Sequence, residues 1–327
     1  MEQKQSIEEQ LKKLNGYLRD LAWAVSIAAA QDAAYYLSQG KEVPPFEADK
    51  SAVVKKSIKD EKIAINIAGF YAVECGIGVL VAQKGNTAVY WLEKIVHQEL
   101  DAAEMLLLNR FANATWKAGQ PFRSLSRITR DNFIVASFLN AEETQKDHHQ
   151  VVAAASKLLG SLKDVTDQSK EEQFKKISQL MKDKAFALEM AKHLEAAYYL
   201  AQKKPVPPFT SPDDDTATTE KNVFEEKVAT NIAGFYALEC GLSYMASAQH
   251  QLPSEVLQSI VDSSITEENK QLLERFANAT WKAGQPFRSL DRIERDIFTP
   301  FYFLSNEEIE KDWVQITTMA KRLIKLL

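Results

Sequence analysis

The chain has 327 residues, of which 45% are hydrophobic and 26% are charged. This balance is typical of a soluble globular protein, and the length exceeds what one hydrophobic core usually organises, so we expect two domains. The net charge of −5 excludes a global attraction to nucleic acid or to an anionic membrane surface. Any anion-binding function must therefore rest on a local basic cluster.

The cysteine content and the first residues of the chain indicate the cellular compartment. The chain has only two cysteines, Cys75 and Cys240, and its first residues are charged and lack an apolar signal segment. A secreted disulfide scaffold uses more cysteines, so a reducing compartment is favoured. We predict a cytoplasmic protein that has no nucleic-acid partner and no membrane partner.

One segment of the chain occurs twice, letter for letter, at residues 110–125 and 275–290. Glu74 and Glu239 match at the same spacing, as do the two cysteines. We interpret the chain as a tandem duplication of one helical-bundle domain. Residues 1–163 form the first copy and residues 164–327 the second, and we expect the copies to be related by an approximate internal two-fold symmetry.

Helical periodicity and helix-stop residues predict an all-α fold with about five or six helices in each copy. No window alternates with a period of two residues, so we expect no strand. Gly119 is predicted to end its helix in a left-handed conformation, and Pro121 to prevent the helix from resuming. In the first copy the helices are predicted to cover approximately residues 6–38, 58–83, 87–97, 102–118, 126–139 and 141–159.

Short polar residues occur at matching predicted helix starts in both copies. Their side chains can accept hydrogen bonds from the free amides of a first helical turn, and most have a carboxylate three residues later, as in a capping box. The predicted N-caps are Ser6, Ser57, Asp101 and Asn140 in the first copy and Ser169, Asn222, Thr266 and Ser305 in the second.

The apolar stretch at residues 63–82 is long enough to cross a membrane. Asn66 and Glu74 interrupt it, and a charge at that depth is costly in lipid. The central helix of a bundle is also apolar on nearly every side. We therefore predict a buried helix rather than a membrane span.

The repeated segment contains an aromatic, an amide and basic side chains within one turn-rich stretch. A tryptophan offers a flat apolar wall, a glutamine an amide, and lysine and arginine a positive rim, which suits a carboxylate or phosphate on an apolar or planar body. We predict one small anionic ligand in each copy. The predicted ligand-binding residues are Trp116, Lys117, Gln120 and Arg123 in the first copy and Trp281, Lys282, Gln285 and Arg288 in the second.

Two other interpretations of the segment stay open. In the first, the protein is a scaffold whose charges form a buried salt-bridge network, with Glu74 paired to Arg110 inside one copy. In the second, the segment is an interface between the copies or between chains of a homo-oligomer, because Trp, Phe and Arg anchor such contacts. The predicted network residues are Glu74, Arg110, Arg127, Glu239, Arg275 and Arg292.

Enzyme signatures are missing from the sequence, including the phosphate-binding loop, the dinucleotide fingerprint and the nucleophile elbow. The histidines do not match between the copies, so we expect no metal site and no cofactor. If the protein is an enzyme, Glu74 and Glu239 are the candidate general acid and base beside the basic cluster. We expect a binding or assembly protein instead.

Overall fold

The structure is a computed structural model that describes residues 5–47, 50–209 and 216–327. Helix accounts for 74% of the structure and strand for 3%, which confirms the predicted all-α helical-bundle class. Short 3-10 helices lie at Leu125–Thr129, Ala136–Phe138, Lys163–Val165, Leu290–Glu294 and Phe301–Phe303.

The longer elements follow one another in the same order before and after residue 163. The earlier ones are α1 (Ile7–Leu18), α2 (Leu21–Ser38), β1 (Val53–Ser57), α3 (Ile58–Lys84), α4 (Ala88–Val96), α5 (Ala102–Arg123) and α6 (Ala141–Ser161). The later ones are α7 (Lys170–Lys182), α8 (Lys184–Ala201), β2 (Thr218–Asn222), α9 (Val223–Ala248), α10 (Pro253–Val261), α11 (Glu267–Arg288) and α12 (Asn306–Leu323).

All eight predicted N-caps are confirmed, since each side chain accepts a hydrogen bond from an amide in the first turn of its helix. At α5 the capping box is complete. The Glu104 amide donates to Asp101 Oδ1 at 2.8 Å, and the Asp101 amide donates to Glu104 Oε2 at 2.9 Å. Such a cap contributes about 1 kcal/mol and depends only on neighbouring residues, which is why the sequence reveals it.

The predicted end of the helix at Gly119 is wrong, because α5 continues through Gly119 and Pro121 to Arg123. A Cβ added at Gly119 would lie only 3.0 Å from Phe287 Cε2, so glycine lets the ring pack closely and a larger residue would force the ring to shift. Gly284 has the same relation to Phe122, also at 3.0 Å. The glycines serve a close packing contact rather than a left-handed turn.

Three other predictions about secondary structure also differ from the structure. The long first helix is two helices, α1 and α2, and Asp20 caps the second of them. The predicted helix at 126–139 is replaced by two 3-10 helices. Contrary to expectation there are strands, and β1 and β2 pair antiparallel with Val53 opposite Asn222. This ribbon is largely exposed, so it lacks the half-buried alternation that marks a strand in a sequence.

The centre of the molecule is a bundle of four helices, α3, α5, α9 and α11, in which α5 and α11 contact each other and each packs against both α3 and α9. Phe111 of α5 stacks on Phe276 of α11, with ring centroids 4.0 Å apart, and Phe122 stacks on Phe287 at 5.3 Å. Around this bundle α2 packs on α9, and α8 packs on α3. Helices from both sides of residue 163 therefore share one core.

The apolar helix α3 lies inside this bundle. Within the described ranges it is the one helix long and apolar enough to cross a membrane, and 89% of its most apolar window is buried among other helices. A central bundle helix has this pattern because neighbouring helices surround it on every side.

Candidate functional site

The repeated segment forms the second half of α5 and of α11, and most of its side chains are buried. On α5, Asn113, Trp116, Gln120 and Arg123 are spaced by three or four residues and therefore lie along one stripe. Lys117 is four residues from Asn113 and three from Gln120, and its side chain is completely buried in the core.

The two lysines of the segment are completely buried and form ion pairs with glutamates of α3 and α9. Lys282 Nζ lies 2.6 Å from Glu74 Oε2, and Lys117 Nζ contacts Glu239 Oε2. All four side chains are 0% exposed. Each pair joins residues from opposite sides of residue 163, so the lysines lie in the core and not on the rim of a ligand site.

The partner of Glu74 is therefore Lys282, and the expected bridge from Glu74 to Arg110 is not formed. Glu239 interacts electrostatically with Arg110, and Glu74 interacts electrostatically with Arg275. Burial lowers the pKa of both guanidinium groups, and the nearby acidic groups oppose this shift.

The remaining acceptors of the two glutamates are also occupied. Glu239 Oε1 accepts from the Ala136 amide at 2.8 Å and from the Ser243 hydroxyl at 3.1 Å. Glu74 Oε1 accepts from the Phe301 amide at 3.2 Å. Neither glutamate lines a cleft described below. A buried carboxylate with this many partners is suited to holding structure together rather than to exchanging protons with a substrate.

The two cysteines lie beside these ion pairs. The Cys75 thiol donates to Glu74 at 3.2 Å, and the Cys240 thiol donates to Glu239 at 3.3 Å. Burial, followed by the adjacent carboxylate, raises the pKa of each thiol well above its usual value. A thiol held neutral in this way is a poor nucleophile.

The arginines Arg127 and Arg292 are bound by glutamines of the segment, and no carboxylate in the described part of the chain forms an ion pair with either. Arg127 Nη1 donates to Gln120 Oε1 at 2.9 Å, and Arg292 Nε donates to Gln285 Oε1 at 2.6 Å. Burial and neighbouring arginines lower the pKa of each guanidinium to about 10. Positive charge is therefore concentrated at the end of each helix.

The Arg123 guanidinium is half-buried, and no carboxylate of the described residues lies within 4.0 Å of it. Burial lowers its pKa, and Glu61 opposes that shift from a greater distance. Glu61 is itself held by Lys221 at 2.8 Å. Arg288 differs, because its Nε lies 3.8 Å from Glu226 Oε1.

Trp116, Gln120 and Arg123 line one cleft of about 440 Å³ between α3, α5 and α8. Tyr198 supplies an aromatic wall on the side of α8. Glu195 of α8 and Lys62 of α3 pair at 3.2 Å along the same cleft. Three of the four predicted residues of this copy are thus brought together, and Lys117 is not among them.

A carboxylate that was not among the predicted site residues lies beside this cleft. Asp147 of α6 lines a cavity of about 120 Å³ whose wall includes Trp116 and Tyr198, and it is only 9% exposed. Asn113 Nδ2 donates to Asp147 Oδ2 at 3.3 Å. Burial raises the pKa of Asp147 to about 7, although Lys117 lowers it.

A sequence signal for this residue exists. Lys146, Asp147 and Gln150 match Lys311, Asp312 and Gln315 at the spacing of 165 that relates the repeated segments. Asp312 is bound by Asn278 at 3.3 Å, and burial raises its pKa to about 7 as well. A comparison of the polar residues of α6 with those of α12 at this spacing identifies both aspartates.

No three His, Cys, Asp or Glu side chains of residues 5–47, 50–209 and 216–327 converge in a group that could hold a metal ion. Compared with protein-family models, with curated proteins and with solved structures, the chain shows no significant match in any of the three.

Proposed function

We propose that this protein binds a small anionic molecule with a planar or apolar body in the cleft of Trp116, Gln120 and Arg123. One observation carries the proposal: the half-buried Arg123 guanidinium faces this cleft with no carboxylate of the described residues at ion-pair distance. A partly buried charge without a counter-charge is unfavourable. A carboxylate or phosphate of a ligand would supply that counter-charge through two parallel hydrogen bonds.

The dimensions and walls of the cleft support this function. Its volume of about 440 Å³ falls within the range of sites for small molecules. Trp116 and Tyr198 offer aromatic faces, and Gln120 is held in position by its contact with Arg127. A planar body between the two rings would place an acidic substituent toward Arg123.

The buried ion pairs support a structural role for the other charged residues of the segment. Lys117 and Lys282 are occupied by Glu239 and Glu74, and all four are sealed from solvent. We therefore assign these four residues to stability, and we favour binding over catalysis in a cytoplasmic protein.

We infer that residues 1–163 and 164–327 are the products of a tandem duplication arranged about an approximate two-fold axis. The reciprocal pairs of Lys117 with Glu239 and of Lys282 with Glu74 support this arrangement. A second site would then lie at Trp281, Gln285 and Arg288. Because Arg288 already has Glu226 at 3.8 Å, we propose that the first site is the tighter one.

Thermal unfolding with benzoate, phenyl phosphate and nucleoside monophosphates tests the proposal. At least one of these anions should raise the melting temperature of the unaltered chain, and Arg123→Ala should abolish that rise. Arg130→Ala is the matched control, because it removes the same charge from the same cluster at an exposed position. An equal rise in the Arg123→Ala variant would exclude Arg123 from the site.

A further inference from the structure

We propose that the ligand of this cleft is a zwitterion, with an anionic group at Arg123, a protonated amine at Asp147 and an apolar or planar middle on Trp116. This inference rests on the proposed function and specifies its ligand class. The amine would occupy the 120 Å³ cavity that adjoins the larger cleft.

The two compartments share their walls. Trp116, Gln150 and Tyr198 line both the cavity of about 120 Å³ and the cleft of about 440 Å³, so the two spaces adjoin at these side chains. Asp147 lies in the smaller space and Arg123 in the larger one. A single elongated molecule that passes these shared side chains would meet both charges.

The helix α5 sets the length of such a molecule. Asn113, which holds Asp147, and Arg123 lie on one stripe of α5 and are ten residues apart, which corresponds to about 15 Å along the axis. Trp116 lies between them. This length sets the approximate scale of the separation between the ligand's two charges.

The carboxylate of Asp147 has acceptor capacity that the described residues leave unused. It is nine-tenths buried, and its side-chain hydrogen bond from Asn113 is long, at 3.3 Å. An ionised carboxylate can accept about four hydrogen bonds. A primary ammonium group donates three, and the cavity has room for about four water-sized volumes.

Two of the cations near Asp147 are engaged elsewhere. Lys146 lies 2.6 Å from Glu143 and 3.0 Å from Glu142, and Lys117 is held by Glu239. The titratable or charged groups that act on Asp147 or line its cavity are Lys117 and Arg110 of α5, Glu143 and Lys146 of α6, and Tyr198 of α8.

Binding at this site should also depend on the protonation state of Asp147. Burial raises the pKa of Asp147 to about 7, and Lys117 and Arg110 oppose that shift. Above this pH the carboxylate is ionised and attracts an ammonium group, whereas below it the carboxyl is neutral and the attraction is lost. A protonated amine bound to the ionised carboxylate of Asp147 would therefore take the place of the proton that the neutral carboxyl carries.

Matched probes in isothermal titration calorimetry separate the two ends of the site. The zwitterion is para-(aminomethyl)benzoate, the anion is para-methylbenzoate and the cation is para-methylbenzylamine, with biphenyl homologues to vary the length. At about pH 8 we expect one of the zwitterions to bind at least about tenfold more tightly than its matched anion. The preference should fall as the pH is lowered to about 5.5.

Asp147→Asn should remove the preference for the zwitterion and leave the affinity for the anion unchanged. Asp164→Asn, which removes an exposed carboxylate paired with Lys176, is the control and should keep the preference. Equal binding of zwitterion and anion to the unaltered chain would overturn the proposal of a zwitterionic ligand. A preference that survives Asp147→Asn would overturn it as well. If no anion or zwitterion binds, or if Arg123→Ala has no effect on binding, the proposed function fails as well.

Discussion

Lys282 Nζ lies 2.6 Å from Glu74 Oε2, although the two residues are 208 positions apart in the chain and both side chains are completely buried. Lys117 and Glu239 form the reciprocal contact between α5 and α9. These two pairs join helices that the sequence places on opposite sides of residue 163. The central bundle is therefore held together by charge as well as by apolar packing.

We expect Lys282→Met to lower the free energy of unfolding by about 3–5 kcal/mol, because it leaves Glu74 buried without its counter-charge. Adding Glu74→Gln should restore most of that loss, since the amide oxygen can still accept from the Phe301 amide. Urea denaturation measures both values. As a control, Lys12→Met breaks an exposed pair with Glu8 and should cost less than about 1 kcal/mol. A similarly small effect at Lys282 would contradict a structural role for the buried pair.

Gly119→Ala should destabilise the protein by about 1–3 kcal/mol, because the new methyl group would lie 3.0 Å from Phe287 Cε2. Gly16→Ala is the matched control on α1, where a Cβ has no neighbour within 4 Å. There the change should stabilise the helix by about 0.5–1 kcal/mol. Opposite signs in thermal or urea unfolding are the expected result, and equal signs would refute the packing explanation of Gly119.

The buried carboxyl groups of Asp147 and Asp312 should make stability fall as the pH rises. Burial raises the pKa of each to about 7, above the usual value of 3.8. Between these two values the folded chain binds protons that the unfolded chain has released, so the free energy of unfolding decreases with pH there and levels off above about pH 7.

Asp147→Asn should remove the contribution of Asp147 to this pH dependence. That contribution is a change of about 2–4 kcal/mol in the free energy of unfolding between pH 4 and pH 8. The variant should therefore be more stable than the unaltered chain at about pH 8 and lose that advantage at about pH 4. Urea denaturation across this range measures the difference between the two proteins. A constant difference at every pH would mean that Asp147 titrates normally.

Both cysteines should be unreactive in the folded protein. Cys75 and Cys240 are completely buried, and burial and the neighbouring glutamates raise the pKa of their thiols. Since the thiolate is the reactive form, iodoacetamide should label neither residue until urea unfolds the chain, and then both. Rapid labelling under native conditions would show that one of the two thiols is accessible.

The candidate site was predictable only in part. The residue types of the segment indicate Trp116, Gln120 and Arg123, and these three do line one cleft. Lys117 belongs to the same run of letters but faces the core, because only the positions of neighbouring helices decide which face of α5 is buried. Asp147 comes from another helix, and a sequence read along one segment does not reveal that contact.

Local chemistry determined where eight of the helices begin, because a cap such as Asp101 and its partner Glu104 lie within one turn of each other. The same holds for the buried character of α3, which follows from its composition. Only the tertiary structure decided that α5 continues past Gly119, that Glu74 pairs with Lys282, and that β1 and β2 meet. Each of these depends on a contact between residues far apart in the chain, and distant contacts of this kind overrule the conformational preference of any single residue.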